Sequence, residues 1–156
     1  MAGNVALIGA AIAALFVLLR KKKRYLRPLG RDERPETAFV LESGKGGCRP
    51  TDPRPLVRKN GKTVKWQITN NCGEPYDIEL RNFREKRADG TLGPPETVTD
   101  PAVPKGTIGT GGGTITARAD ADHVPSDGVV YKYEIWLAPH GDTLQLGRDP
   151  DFEIWP

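Results

Sequence analysis

Apolar and polar side chains alternate in a series of short runs that begins at Thr37. In the run Lys62–Asn70, the side chains of Val64, Trp66 and Ile68 fall on one face, and the polar residues between them fall on the other. A repeat of two residues is the period of a β-strand with one buried face. Glycine, proline, asparagine and aspartate separate the runs, and no run after residue 37 follows the helical period. The pattern predicts an all-β sandwich over residues 37–156.

The runs mark the individual strands. In the run that begins at Tyr76, the side chains of Tyr76, Ile78 and Leu80 share one face. Phe83 falls out of step, which predicts a bulge or the end of the strand there. The predicted strands are Thr37–Ser43, Lys62–Asn70, Tyr76–Phe83, Gly113–Ala119, Val129–Ala138 and Asp151–Pro156.

The N-terminal region is apolar and then strongly basic. Val5–Leu19 contains no polar side chain, and Arg20–Arg24 follows directly. With residues 2–4, the apolar stretch approaches the roughly 17 residues that a helix needs to cross a bilayer, and long cationic side chains extend such a span by snorkelling. Residues 1–24 are therefore predicted to be a single-pass transmembrane anchor. Residues 2–19 would contact the lipid bilayer, and the basic run after them would stop transfer.

Two other interpretations of this region fit its residues less well. A cleaved secretory signal has a positive segment before the apolar one and small residues at the cleavage site. Here only the amino terminus is charged, and Arg20–Arg24 stands where the cleavage site would be. A buried core helix would carry polar residues on its back, and this stretch has none.

The positive charge of the chain is concentrated beside the predicted anchor. Eight basic and two acidic residues lie between Arg20 and Arg34, and 15 basic and 18 acidic residues remain for the rest of the chain. A mildly acidic domain argues against a nucleic-acid-binding surface, which requires a cationic face. Because the basic residues follow the span, the positive-inside rule predicts a cytoplasmic domain. Residues 25–36, charged and proline-containing, are predicted to be a linker.

Three segments carry a resemblance to a known family. Val64–Leu80 reads as a strand, an Asn-Asn turn, a Gly-x-Pro sequence and a second strand. A glycine-rich turn precedes Thr114–Ala119, and Tyr131–Asp142 alternates aromatic residues before a Pro-His pair. In these features residues 37–156 resemble a cupredoxin, the plastocyanin-like β-sandwich family. The resemblance implies a Greek-key topology and a copper site built from the corner before Tyr76 and the end of the strand that precedes the Pro-His pair.

The copper ligands that the resemblance implies are missing. A blue-copper site needs two imidazoles, a thiolate and a weak axial ligand. Tyr76 occupies the first histidine position. The cysteine position falls on Ile135 if the tyrosines set the register, or on Leu137 if His140 sets it, and Gln145 then falls near the axial position. The sequence therefore predicts no copper site and no cofactor.

Two histidines are weak candidates for a metal site. His140 and His123 each lie in a predicted turn, and a weak shared surface site and ordinary exposed turn histidines both remain open. The sequence contains no GxSxG, HExxH or phosphate-loop pattern. We therefore predict no catalytic residue, and a protein that is not an enzyme.

The two cysteines, Cys48 and Cys72, belong to no CxxC motif or histidine cluster, so a zinc site is not supported. A disulfide between them would close a loop of about 24 residues and stabilise the domain by roughly 3–4 kcal/mol. Free structural thiols, or a catalytic or metal-binding role, are the alternatives. A disulfide implies an oxidising compartment, so it would place the domain outside the cytoplasm, against the charge rule.

Trp136 and Trp155 fall on the outward faces of their predicted strands. They would either form an apolar patch for a protein partner or lie beneath the loop Asp89–Lys105. We therefore expect a membrane-tethered, non-catalytic β-sandwich that binds or scaffolds a protein whose identity the sequence does not give. The alternative is a metal-handling or electron-transfer accessory protein with a degenerate copper site.

Overall fold

The computed structural model describes residues 32–156, and this part of the chain contains strands and no helix. The predicted anchor, and the linker as far as residue 31, lie outside the described residues. Within residues 32–156, no helix is long and apolar enough to cross a membrane. The strands are β1 Glu36–Gly44, β2 Gly47–Pro50, β3 Leu56–Lys59, β4 Thr63–Asn70, β5 Tyr76–Lys86, β6 Leu92–Pro95, β7 Thr99–Asp100, β8 Lys105–Ile108, β9 Gly113–Ala119, β10 Val129–Pro139, β11 Gln145–Arg148 and β12 Asp151–Trp155.

The strands form two sheets. The smaller sheet has the order β2-β1-β4-β9-β7. The larger sheet has the order β3-β12-β10-β5-β6, with β11 paired to β10 and β8 paired to β5. The pairs β1–β4 and β3–β12 are parallel, and the other pairs are antiparallel.

The inner faces of the two sheets share one core. Trp66 of β4 is fully buried, and its indole N–H donates a 3.0 Å hydrogen bond to the hydroxyl of Tyr133 on β10 in the other sheet. Phe83 of β5 stacks on the Tyr133 ring at a centroid distance of 5.3 Å. Burial raises the pKa of Tyr133, so its hydroxyl stays neutral beside the indole. The all-β sandwich that the alternation predicts is confirmed in this packing.

All six predicted strands are present, with ends that differ from the prediction by at most three residues. Of the two outcomes expected near Phe83, a bulge or the end of the strand, the bulge is present. The register between β5 and β10 shifts between Lys132 and Glu134, and Asn82 adopts a left-handed φ of 57°. This extra residue returns Phe83 to the buried face, where it is 1% exposed.

The fold begins slightly before the predicted boundary at Thr37. Arg34 pairs with Val57 through two backbone hydrogen bonds of 2.8 and 3.0 Å. Glu33 forms an ion pair with Arg58. These residues cover the edge of β3, so the end of the predicted linker belongs to the sandwich.

The strand directions define two ends of the sandwich. β1 and β4 run in parallel from the end where Arg34 lies to the end where Cys72 lies. β10 begins at the first of these ends and finishes at the second, where Pro139 pairs with Tyr76. We call them the N-terminal end and the corner end. The nine residues of β1 separate them by about 30 Å, at roughly 3.3 Å per residue.

Candidate functional site

The turn between β4 and β5 is held by the side chain of Asn70, which is 3% exposed. Its amide nitrogen lies 2.8 Å from the Glu74 carbonyl oxygen, 3.3 Å from that of Ile108 and 3.2 Å from that of Gly109. Its amide oxygen accepts a 3.0 Å hydrogen bond from the Cys72 N–H. One asparagine therefore joins the corner to the end of β8.

The glycine-rich segment before β9 contains a strand as well as the predicted turn. Its first part, Lys105–Ile108, is the strand β8. Gly112 has a φ of +133°, and a Cβ atom there would overlap the Ile68 carbonyl oxygen. Only glycine fits where this tight turn meets the end of β4.

The disulfide forms one wall of the corner end. Cys48 on β2 is bonded to Cys72 in the corner turn, and their Cα atoms are 6.1 Å apart. The chain contains two cysteines, so this bond leaves no free thiol. A thiolate ligand and a thiol nucleophile are both excluded while the bond is intact.

An open cleft of about 560 Å³ lies beside the disulfide, between the β1–β2 hairpin and β11. Tyr76 and Leu137 form its floor and are 5% exposed. Burial raises the pKa of the Tyr76 phenol. Gly147 allows β11 to pack closely, because a Cβ atom there would lie 2.6 Å from a Leu137 methyl carbon and 2.8 Å from Pro50.

The cleft contains three of the positions to which the cupredoxin resemblance assigns copper ligands. Tyr76, Leu137 and Gln145 all line it. Ile135, the other position considered for the cysteine, is fully buried in the core. A phenol, an alkyl group and an amide provide neither the imidazole nor the thiolate that a blue-copper site requires. The residues present do not fit the metal.

His140 is held at the outer side of the corner end. Its Nδ1 atom lies 2.8 Å from the Asp77 carboxylate, and the ring is 64% exposed. The Thr107 hydroxyl and the Gly141 N–H donate to the same carboxylate at 2.6 and 3.1 Å. The hydrogen bonds from Thr107, His140 and Gly141 lower the pKa of Asp77 to about 2. Asp77 therefore fixes the loop after β10, a role that the sequence pattern does not indicate.

His123 and His140 lie at opposite ends of the sandwich. His123 precedes β10, and His140 follows its last residue. The eleven residues of β10 extend about 35 Å, at roughly 3.3 Å per residue. The two imidazoles therefore do not share a metal ion. Residues 32–156 also contain no group of three or more His, Cys, Asp or Glu side chains that could hold one.

Trp136 lies on the outer face of the larger sheet and is half-buried. Its N–H donates a 2.7 Å hydrogen bond to Glu134, which also accepts from the amide of Asn82 at 2.6 Å. The Arg81 guanidinium covers the ring at 3.9 Å from its centroid. The opposite residue on β11, Leu146, is 55% exposed.

Trp155 belongs to a different part of the same face. It follows Ile154, which pairs with Val129 at the start of β10, whereas Trp136 lies seven residues further along that strand. The two tryptophans are thus more than about 20 Å apart at the rise of a β-strand. Lys59 lies over the Trp155 ring at 5.3 Å. The prediction of one patch containing both tryptophans is wrong.

The loop Asp89–Lys105 does not cover the tryptophans either. It supplies β6, which extends the edge of β5, and β7, which extends the edge of β9. Val98 enters the core and is 1% exposed. The side chains that cover the tryptophans come from β5 and β3 instead.

No protein-family model and no curated protein sequence matches the chain. Among solved structures it is similar to the chaperone–tip adhesion subunit complex CsuC–CsuE of the archaic chaperone-usher Csu pili of Acinetobacter baumannii. That match has 12% identity and a TM-score of 0.47, and covers 65% of this chain and 48% of that chain. It is also similar to the McoA multicopper oxidase of Aquifex aeolicus, with 12% identity and a TM-score of 0.37, over 83% of this chain and 31% of that chain. The chain thus spans less than half the length of either structure.

Proposed function

We propose that the protein is a membrane-tethered, non-catalytic module with a cupredoxin-like Greek-key fold, which binds another protein through its corner end. The observation that carries this proposal is the position of the cleft. The chain enters the sandwich at the N-terminal end, and the cleft opens at the corner end, about 30 Å away at 3.3 Å per residue of β1. With residues 2–19 in the bilayer, the cleft would face away from the lipid.

We place the domain outside the cytoplasm. The disulfide between Cys48 and Cys72 supports this location, because such bonds persist in oxidising compartments. The basic run Arg20–Arg24 favours the opposite orientation by the positive-inside rule. The disulfide belongs to the folded domain itself, whereas the charge rule is a statistical bias, so we propose the orientation that the disulfide favours.

Site-specific photo-crosslinking in intact membranes tests the binding role. A photoreactive amino acid at Thr143, beside the cleft, is expected to give a discrete protein adduct. The same amino acid at His123, in an exposed loop at the N-terminal end, is the matched control and is expected to give none. An adduct from His123 alone, or none from Thr143, would contradict the proposal.

The alternative function, a metal-handling or electron-transfer accessory protein, is favoured by one observation. Asp77 orients the exposed His140 ring through Nδ1, as carboxylates orient metal-binding histidines. Titration of the chain with copper, monitored by isothermal titration calorimetry, distinguishes the two functions. Our proposal predicts no saturable site below micromolar Cu²⁺. A submicromolar site that disappears in His140→Ala would favour the alternative.

A further inference from the structure

Most edge strands of the sandwich are protected against further pairing. The backbone of Arg34 covers β3. On β2, the Pro50 carbonyl accepts a 3.0 Å hydrogen bond from the Arg148 side chain. These contacts occupy the groups with which an added strand would pair.

The edges on the other side of the sandwich are protected differently. β6 ends in two prolines, which donate no ladder hydrogen bond, and β7 has only two residues. On β8, the Ile108 carbonyl accepts from the Asn70 amide, and Gly106 packs against Ile115 of β9. Protected edges are the norm in β-proteins, because open ones invite pairing with another chain.

β11 is the exception among the described strands. Gln145–Arg148 pairs with β10 on one side only. Its contacts with β2 are the Arg148 side chain on the Pro50 carbonyl and the packing of Gly147 against Pro50, and no backbone hydrogen bond joins its other side to a described residue. It carries the most exposed large apolar side chain of residues 32–156, Leu146 at 55%. Opposite residues of an antiparallel pair share a face, so Leu146 lies beside Trp136 on the outer face, and Gln145 faces the cleft with Leu137.

We propose that β11 accepts an extended peptide segment of the partner protein as an additional strand of the larger sheet. Alternate side chains of that segment would lie beside Leu146 and in the cleft, because successive residues of a strand point to opposite faces. The inference rests on the proposed function and specifies how the corner end binds.

The charges of the cleft select the chemistry of the peptide. Arg49 and Arg148 line it, against one acidic residue, Asp142. Arg148 already has an ion pair with Asp52 at 3.2 Å, and Arg49 forms none with a described residue. The partner segment is therefore one that alternates apolar residues, beside Leu146, with acidic residues, facing Arg49.

The test uses the full chain in lipid nanodiscs and a fluorescent eight-residue peptide of alternating leucine and glutamate. Two derivatives carry N-methyl groups on the leucines or on the glutamates. Alternate residues of a strand direct their N–H groups to opposite edges, so only one derivative loses the hydrogen bonds to β11. We expect anisotropy to show that one derivative binds at least about tenfold more weakly and the other binds like the parent peptide. A lysine-for-glutamate peptide is expected to bind at least about tenfold more weakly as well.

Protein variants locate the site. Leu146→Asp is expected to weaken binding about tenfold, whereas Leu92→Asp, at the exposed edge strand β6, leaves it unchanged. Arg49→Glu is expected to weaken it similarly, and Arg87→Glu, in a distant exposed turn, is its control. The inference is overturned if no binding is detected below about 1 mM peptide, which is the order of the weakest specific affinities. The inference is also overturned if both N-methylated derivatives lose affinity equally, or if the Leu146→Asp variant binds the peptide as tightly as the wild type. If the Thr143 adduct still forms in any of these cases, the proposed function stands and only the pairing mode fails.

Discussion

The fold alters the charge state of Glu153. It lies on the outer face of β12, in register with Val57 of β3 and Val130 of β10. Its Oε1 atom is buried and has no hydrogen-bond partner. Burial raises the pKa of Glu153 to about 7, although the nearby Arg34 acts in the opposite direction. The folded protein therefore holds a proton on this carboxyl over a pH range in which the unfolded chain has released it.

This difference makes folding pH-dependent. A carboxyl whose pKa is raised on folding stabilises the protein below its unfolded value of about 4.5, and the stabilisation is lost as pH rises through about 7. Glu153→Gln keeps the shape of the side chain but removes its titrating group. We therefore expect this variant to flatten the decline of the unfolding free energy between about pH 5 and 7.5, roughly the interval between the unfolded and folded pKa values. Urea unfolding monitored by tryptophan fluorescence measures this. Glu42→Gln, on an exposed part of β1, is the control and should retain the decline. Identical slopes for Glu153→Gln and the wild type would contradict the account.

At the scale of elements, the corner between β4 and β5 depends on Asn70. Its side chain satisfies carbonyl groups from two chain segments in a buried position. Removing one partner from a buried polar network leaves the others unsatisfied, which costs more than the hydrogen bond alone contributes.

Asn70→Ala is expected to lower the free energy of unfolding by about 2 kcal/mol. Asn71→Ala provides the matched control, because Asn71 is adjacent and exposed, and its effect should stay within about 0.5 kcal/mol. Chemical denaturation of both variants gives the comparison. Equal effects of the two substitutions would show that the Asn70 amide does not hold the corner.

The long strands were predictable from the sequence and the short ones were not. β4, β5 and β10 alternate over eight or more residues, which is long enough for a two-residue period to be recognised. β2, β8 and β11 have four residues each and contain glycine, so no period can be read in them. Arg49, Leu146 and Arg148 of the proposed peptide site come from these short strands.

Other features of the site depend on tertiary contacts. The resemblance predicts that Tyr76, Leu137 and Gln145 belong to one site, and the cleft contains all three. The positions of the tryptophans relative to each other follow from the pairing of β10 with β12, which alternation within one strand does not reveal. The cations over the tryptophans likewise come from residues that are distant in the sequence.

At the scale of the whole molecule, the disulfide joins the smaller sheet to the corner across 24 residues. Loop-closure entropy predicts that reduction lowers the unfolding free energy by about 3–4 kcal/mol. Thermal unfolding with and without dithiothreitol measures this as a lower midpoint temperature. The double variant Cys48→Ala/Cys72→Ala should unfold at a similarly low temperature and should not respond to the reductant. An unchanged midpoint in the reduced wild type would contradict the stabilising role.

The most direct test of the account is the accessibility of Cys48 and Cys72 in intact cells. A membrane-impermeant maleimide, applied with and without reductant and followed by mass spectrometry, reports the side of the membrane and the thiol state together. For a tethered, disulfide-bonded module outside the cytoplasm, we predict labelling of both cysteines from outside the cell and only after reduction. Labelling that requires lysis and needs no reductant would contradict the account, since it would place a domain with free thiols in the cytoplasm.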